Sequence, residues 1–435
     1  MINRIKVIDR LSGKRAWQYY QLYRKTQWYS AAEMERFQVE KLRELLRHCA
    51  QSVPFYRDVI RGAGIDVEGF ESMNVLEQFP VIDKATVKQD QKAFSSNTTR
   101  GFGPMRMVHT GGTTGEPLFF LKDAGLRSSS HGVMYRFHEW MGVSVADPKV
   151  VVWGAPIVTP GLGKRVRDAA LGWFTNSQLV NPFSINRNAK EDLRQLFERH
   201  RPVLLHGYCQ AIYELARWFT EWGFHFPLRA VSTTVEPLFD EYRDAFRNAF
   251  DCEAFDQYGC GEVEMAAGEC PAHEGLHVFQ ERAFLETDAE GRLILTDLDN
   301  RAFPFIRYTN GDVAELAPRA CSCGRVGPML RRILGRTGDV ITGASGNRVH
   351  PEFFTHLLNE LGISYRAGIR KYQVVQSNLT CLEWRLVSSP LSDDELRQLV
   401  QKVKDYLGDI EVRIVHVEDI PPGRSGKFQY VVSHV

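Results

Sequence analysis

No stretch of this sequence approaches the roughly 20 consecutive apolar residues that cross a bilayer. The richest run, Val150 to Val158, is interrupted by Gly154 and Pro156. The opening residues, Met1-Ile2-Asn3-Arg4-Ile5-Lys6, hold no apolar core of the signal-peptide kind. The chain therefore reads as a cytoplasmic protein with no membrane span. An excess of one charge is missing too: 54 Lys and Arg stand against 53 Asp and Glu. Neither nucleic acid nor an anionic membrane surface is implied as a partner. Eight cysteines in 435 residues are too few for a disulfide framework. Four of them, Cys49, Cys209, Cys252 and Cys381, are scattered, while Cys260, Cys270, Cys321 and Cys323 fall in or beside motifs. No His or Asn is placed near Cys260 by the sequence, which argues against thiol catalysis there. Internal repeats, low-complexity tracts and long charge runs are absent.

What is present is an ordinary soluble composition, 43% hydrophobic and 25% charged, in a chain too long for one core. Residues 31 to 50 carry Met34, Phe37, Leu42, Leu45, Leu46 and Cys49 at helical spacing. Ser52-Val53-Pro54 ends that helix, and Phe55-Tyr56 is expected to pack back on it. Val150 to Trp153 reads as a buried strand. Val203-Leu204-Leu205, a helix over Ala211 to Trp222, and Ala230-Val231-Ser232 read as parallel strands joined by a crossover. From Leu276 to Leu316 the pattern is β, with turns at Glu274-Gly275, Glu290-Gly291 and Asn310-Gly311. The tail alternates strands at Tyr372–Val375, Leu382–Val387 and Val412–Val417 with a helix from Asp393 to Leu407, capped by Ser392 and Glu395. The expected fold is α/β, with a large N-terminal domain over residues 1–334 and a small α+β domain over 335–435.

Five segments carry chemistry. Thr110-Gly111-Gly112-Thr113-Thr114-Gly115-Glu116-Pro117 follows a strand-like run. Glycines let backbone N–H groups approach an anion closely and threonine hydroxyls add donors, which suits a polyphosphate. The loop lacks the Gly-Lys-Ser/Thr of a Walker A. Tyr258-Gly259-Cys260-Gly261-Glu262 offers an aromatic face for a purine and a carboxylate for Mg²⁺. Tyr308-Thr309-Asn310-Gly311-Asp312 presents a carboxylate suited to a ribose diol. Gly335-Arg336-Thr337-Gly338-Asp339 marks a domain junction. Pro422-Gly423-Arg424-Ser425-Gly426-Lys427 sets a lysine on a glycine-flanked loop. An ordinary turn accounts for each segment taken singly.

In order and spacing the set resembles the adenylate-forming superfamily, and within it the branch of phenylacetate–CoA ligases and CapK-type proteins. The run Leu42 to Tyr56 and Val235-Glu236-Pro237-Leu238 join the likeness, which extends over nearly the whole chain. The resemblance implies that Thr110 to Gly115 hold the β- and γ-phosphates of ATP. It places Tyr258 and Gly259 on one side of adenine and Val235-Glu236-Pro237 on the other. It gives Mg²⁺ to Glu262, the ribose to Asp312 with Arg336, and the reacting phosphate to Lys427, carried on a mobile lid that pivots at Gly338 and Asp339. It implies activation of a carboxylic acid, then transfer to CoA or, in CapK-type relatives, to an amine. Trp153, Tyr208 and Ser232 stand where related enzymes build the acid pocket. Glu116 stands where most members carry lysine, and Gly338 where the hinge is usually Asp or Lys. A nucleotide-binding protein without catalysis is the rival reading, opposed by the presence of Lys427 and Glu262.

A metal-ligand pattern is the second signal. Cys270-Pro271-Ala272-His273 is a C-x2-H and Cys321-Ser322-Cys323 a C-x-C. Two such pairs fit a closed tetrahedral Zn²⁺ site without an open position. Cys270, His273, Cys321 and Cys323 are the favoured set, with His277 as the rival to His273.

Overall fold

Three helices open the computed structural model: α1 Ala16–Thr26, α2 Ala31–Ser52 and α3 Pro54–Gly62. The described residues are 6–435 apart from 8, 11, 110–117, 154–171, 181–188, 319–320, 337–340, 344–347, 350–352, 355–356, 359–360 and 422–427. Helix α2 starts at a capping box, Ser30 accepting from Glu33 N while the Glu33 side chain accepts from Ser30 N. Its stripe of Leu42, Leu45, Leu46 and Cys49 is buried. The chain breaks at Val53 as expected, but Phe55 and Tyr56 then lie in a new helix. Pro54 occupies the first turn of α3, where a missing N–H costs nothing. Tyr56 is buried, and its hydroxyl donates to Pro304 O at 3.2 Å and accepts from Ile306 N at 3.1 Å.

Strands β1 Arg106–His109 and β2 Phe119–Lys122 pair antiparallel, with His109 opposite Phe119. They bracket residues 110–117, so the glycine–threonine segment itself falls outside the described residues. After α4 (Ala124–Trp140) come β3 Lys149–Val152, β4 Ser177–Val180, α5 Lys190–His200, β5 Leu204–Tyr208, α6 Cys209–Glu221, β6 Ala230–Thr234, α7 Asp240–Phe250, β7 Glu253–Cys260, β8 Glu264–Glu269 and β9 Leu276–Val278. Then follow β10 Ala283–Thr287, β11 Leu293–Asp297, β12 Asp312–Pro318 and β13 Pro328–Arg336. One sheet runs in the order β12-β13-β9-β8-β7-β6-β5-β3-β4. From β4 to β7 it is parallel. From β7 through β8 and β9 to β13 it is antiparallel. The expected strand–helix–strand crossover is β5-α6-β6. Ile212, Leu215, Ala216 and Phe219 of α6 are buried with Val150, Val152, Leu205 and Val231 beneath them. Each of these side chains larger than alanine contributes roughly 1.5–3 kcal/mol when removed from water. Gly207 is required here: a Cβ would lie 1.9 Å from Val152 O across the β3–β5 pairing.

The chain clusters into two compact units. One comprises Met1–Glu286, Ile294–Asn310 and Leu316–Arg331; the other comprises Thr287–Leu293, Gly311–Glu315 and Arg332–Val435. The second contains β14 Ile341–Thr342, β15 Arg348–Val349, β16 Lys371–Asn378, β17 Cys381–Val387, α8 Asp393–Leu407, β18 Glu411–His416 and β19 Val431–Ser433. Its sheet has the order β18-β17-β16-β19. Leu399, Val403 and Leu407 of α8 join Val374, Leu382, Trp384 and Leu386 in a separate core. The Ser392–Glu395 capping box is present. No helix of the described residues is long and apolar enough to cross a membrane.

Candidate active site and metal centre

Parallel strands deliver their carboxyl ends to one edge of a sheet, where α/β proteins bind ligands. Here Trp153 follows β3, Tyr208 ends β5, Val235-Glu236-Pro237 follows β6, and Tyr258 and Gly259 lie near the end of β7. Val235 sits at φ +81°, a costly conformation for a β-branched residue, maintained at the segment expected beside a nucleotide base. Glu236 accepts from Gln210 N at 2.8 Å, in the first turn of α6, so its carboxylate braces that helix N-terminus.

Two hydrogen bonds bring the Tyr258 and Tyr308 segments together. Asn310 Nδ2 donates to the Tyr258 hydroxyl at 3.1 Å. The Tyr308 hydroxyl donates to Glu262 Oε1 at 2.7 Å, and both residues are buried. Tyr308 is itself fixed by main-chain bonds with Leu295 in both directions, each 2.8 Å. Among the described residues, Glu262 Oε2 has no hydrogen-bond partner. Asp312 opens β12 two residues after Asn310.

The turn that carries Glu262 is clamped. A Cβ at Gly259 would meet Glu264 O at 2.3 Å, which explains that glycine. Glu264 adopts φ +59° and pairs with Lys122 at the end of β2. Burial opposes the Glu264 charge, but Lys122 holds its carboxyl below the usual range. The fully buried Arg282 donates through Nη1 to Val263 O at 2.6 Å and to Met265 O. Its Nε lies 3.9 Å from Asp299 Oδ2, and Asp299 also binds Lys41 at 2.5 Å.

The three residues expected at the acid pocket come together around a fourth. The Trp153 and Tyr208 rings are 4.9 Å apart, and Trp153 stacks on His206 at 6.1 Å. His206 Nδ1 lies 3.1 Å from Ser232 Oγ. Burial of the ring brings the His206 pKa down to about 4, so the imidazole is neutral.

At the cysteines the geometry assembles Cys270, His277, Cys321 and Cys323, whose ligand atoms all lie within 4.8 Å of one another. Cys270 Sγ and Cys321 Sγ are 3.6 Å apart, and Cys323 Sγ and His277 Nε2 are 3.4 Å apart. Tetrahedral zinc with bonds of about 2.0–2.3 Å sets ligand atoms roughly 3.5–3.8 Å from one another, so the donor set fits. The favoured His273 is not in this group. Its φ of +52° turns the ring away, with Nδ1 3.1 Å from Glu269 Oε1 and the ring 4.9 Å from that of Phe255. Strand β9 instead carries His277 opposite Met329 of β13.

Thr110, Gly111, Gly112, Thr113, Thr114, Gly115, Gly338, Asp339 and Lys427 fall outside the described residues, as does the side chain of Arg336, whose backbone closes β13. Sequence reasoning gave no role to Tyr308, Lys122, Arg282 or His206. Tyr308 opens the same segment as Asp312 and was within reach; nothing in the sequence distinguishes Arg282 from a surface arginine.

Residues 341–434 match the family model of the CapK C-terminal domain. The whole chain is similar to the phenylacetate–coenzyme A ligase of Thermus thermophilus, 24% identical, over 92% of this chain and 96% of that protein. It is also similar to the protein CapK of Staphylococcus aureus, 23% identical, over 93% and 90%. Among solved structures, 2-hydroxyisobutyryl-CoA ligase in its postadenylation state superposes with a TM-score of 0.73 at 19% identity, over 94% of this chain and 91% of that one. The fold is that of an adenylate-forming ligase with a C-terminal domain.

Proposed function

We propose that this chain activates a carboxylic acid with MgATP, forming an acyl-adenylate and pyrophosphate, and then passes the acyl group to the thiol of CoA with release of AMP. The observation that carries this reading is the hydrogen-bonded union of the Tyr258–Glu262 and Tyr308–Asn310 segments, in a chain alike to a CoA ligase over nearly its full length. In this reading Tyr258, Gly259, Glu236 and Pro237 flank adenine. Asp312 and Arg336 hold the ribose, and Thr110, Gly111, Gly112, Thr113, Thr114 and Gly115 cradle the phosphates through backbone N–H groups. Glu262 holds Mg²⁺, whose charge offsets that of the triphosphate. Lys427 supplies a point charge to the reacting phosphate, and Gly338 and Asp339 form the pivot of its domain. Trp153, Tyr208 and Ser232 line the acid pocket. Zn²⁺ at Cys270, His277, Cys321 and Cys323 is structural, since four protein ligands leave no open position. The proposed location of the enzyme is the cytoplasm.

Acid-dependent ATP–pyrophosphate exchange across a panel of acids tests the first step. Product analysis with ATP, an accepted acid and CoA tests the second, with a thioester as the expected product. The alternative acceptor, implied by the resemblance to CapK-type proteins, is an amine, for which the product is an amide.

A further inference from the structure

Resting on the acid-activation reading, the polar groups behind Trp153 identify the kind of acid. His206 stands between Val151 and Ser232 in one row across β3, β5 and β6. It is partly exposed, and the stacked ring of Trp153, itself 38% exposed, lies beside it. Beyond it, on α4, His138 is 4% exposed, with its ring 6.3 Å from that of His206. Both ring nitrogens of His138 are buried and have no hydrogen-bond partner among the described residues. Buried polar atoms in folded proteins are nearly always satisfied, and an unmet one costs about 1–3 kcal/mol. Two orphaned nitrogens on one ring point to a partner that arrives from outside.

Burial favours the neutral form of both imidazoles, lowering His206 to about 4 and His138 further below the ordinary range. A neutral ring offers one donor and one acceptor. His206 spends Nδ1 on Ser232 Oγ at 3.1 Å, and the serine hydroxyl can rotate to give or take that proton. Nε2 is therefore able to donate or accept, as a hydroxyl or amino group requires. The walls at the same place are the flat faces of Trp153 and Tyr208, which suit an aromatic body. We propose that His206, oriented by Ser232, and His138 behind it form a polar floor to the acid pocket that selects aromatic acids bearing a hydroxyl or amino group remote from the carboxylate.

Pyrophosphate exchange with matched acids tests this: phenylacetate against its 3- and 4-hydroxy forms, and benzoate against its hydroxy and amino forms. A site built to bond a substrate hydroxyl discriminates by far more than a hydrophobic slot does. We expect kcat/KM to favour the substituted acid by about 10²-fold or more. His206→Phe and His138→Leu should each abolish most of that preference, raising KM for the substituted acid far more than for the plain acid. His206→Gln, which keeps a donor and an acceptor, should retain part of it and serves if the phenylalanine variant does not fold. Equal treatment of the pair by the wild type, or undiminished preference in the variants, overturns the proposal. Absence of exchange with every acid strikes the acid-activation reading. Calorimetric binding of the same acid pairs then decides the pocket alone, with equal affinities counting against it.

Discussion

Glu262 is a buried carboxylate whose Oε1 receives the Tyr308 hydroxyl, and Tyr308 is held on both sides by Leu295. Taking that hydroxyl away leaves a carboxylate oxygen short of a donor, at a cost of about 1–3 kcal/mol. Tyr308→Phe should therefore lower the thermal midpoint and cut pyrophosphate exchange by about tenfold, the equivalent of about 1.4 kcal/mol of misplaced charge. Unchanged exchange in a folded Tyr308→Phe protein would detach the tyrosine from the chemistry. Lys427→Ala removes a whole charge and should lower exchange by about 10²–10³-fold, the scale of one lost preorganised donor. Near-normal exchange would remove Lys427 from the reaction. The carboxylates Glu262 and Asp312 were conspicuous in the sequence because each lies in a segment of unusual make-up. Their partners were not: Tyr308 and Glu262 are 46 residues apart, and Asn310 and Tyr258 are 52 apart, so no local pattern announces either bond. Asn310 reads in the sequence only as half of a turn signal, yet its amide donates to the Tyr258 hydroxyl.

Local periodicity carries the elements well and their pairing poorly. Helix α8 and its Ser392–Glu395 box were readable because capping is a contact three residues long. The β5-α6-β6 crossover was readable because apolar runs alternate with a helical stripe. The histidine at the metal centre was not fixed by spacing. A C-x2-H count favours His273, but the backbone there turns at φ +52° while β9 brings His277 to β13. A metal held by these four groups would tie the β8–β9 hairpin to the turn at Cys321 and Cys323, a stabilising role within the sheet. Metal analysis should find about one zinc per chain, and His277→Ala or Cys323→Ser should lose it while His273→Ala keeps it. Chelation should lower the unfolding midpoint of the wild type and leave that of Cys323→Ser unmoved. Folded wild-type protein free of metal, with an unshifted midpoint, would refute the centre.

At the scale of the molecule the balanced composition conceals a buried charged interior. Arg136 pairs with Glu281, which also accepts from Thr26 at 2.8 Å. Nearby, the buried Arg282 and Asp299 form a second group with the partly exposed Lys41. Asp297 adjoins it, fully buried, and accepts from Asp299 N at 3.1 Å. Burial raises the Asp297 pKa from 3.8 to about 7, with Asp299 adding to the rise and Arg282 opposing it. Between those values the folded chain keeps a proton that the unfolded chain has released. Stability therefore declines as pH rises through that window, because the native state binds more protons than the denatured one. Asp297→Asn cannot take part in this exchange. Its stability relative to the wild type should climb from pH 4 to pH 7 by something on the order of 1–4 kcal/mol, whatever the substitution costs at low pH. Denaturant unfolding of both proteins at several pH values measures the difference directly. A wild-type-minus-variant stability that stays flat across the range would mean that Asp297 is ionised in the fold, stabilised by Arg282 strongly enough to overcome its burial.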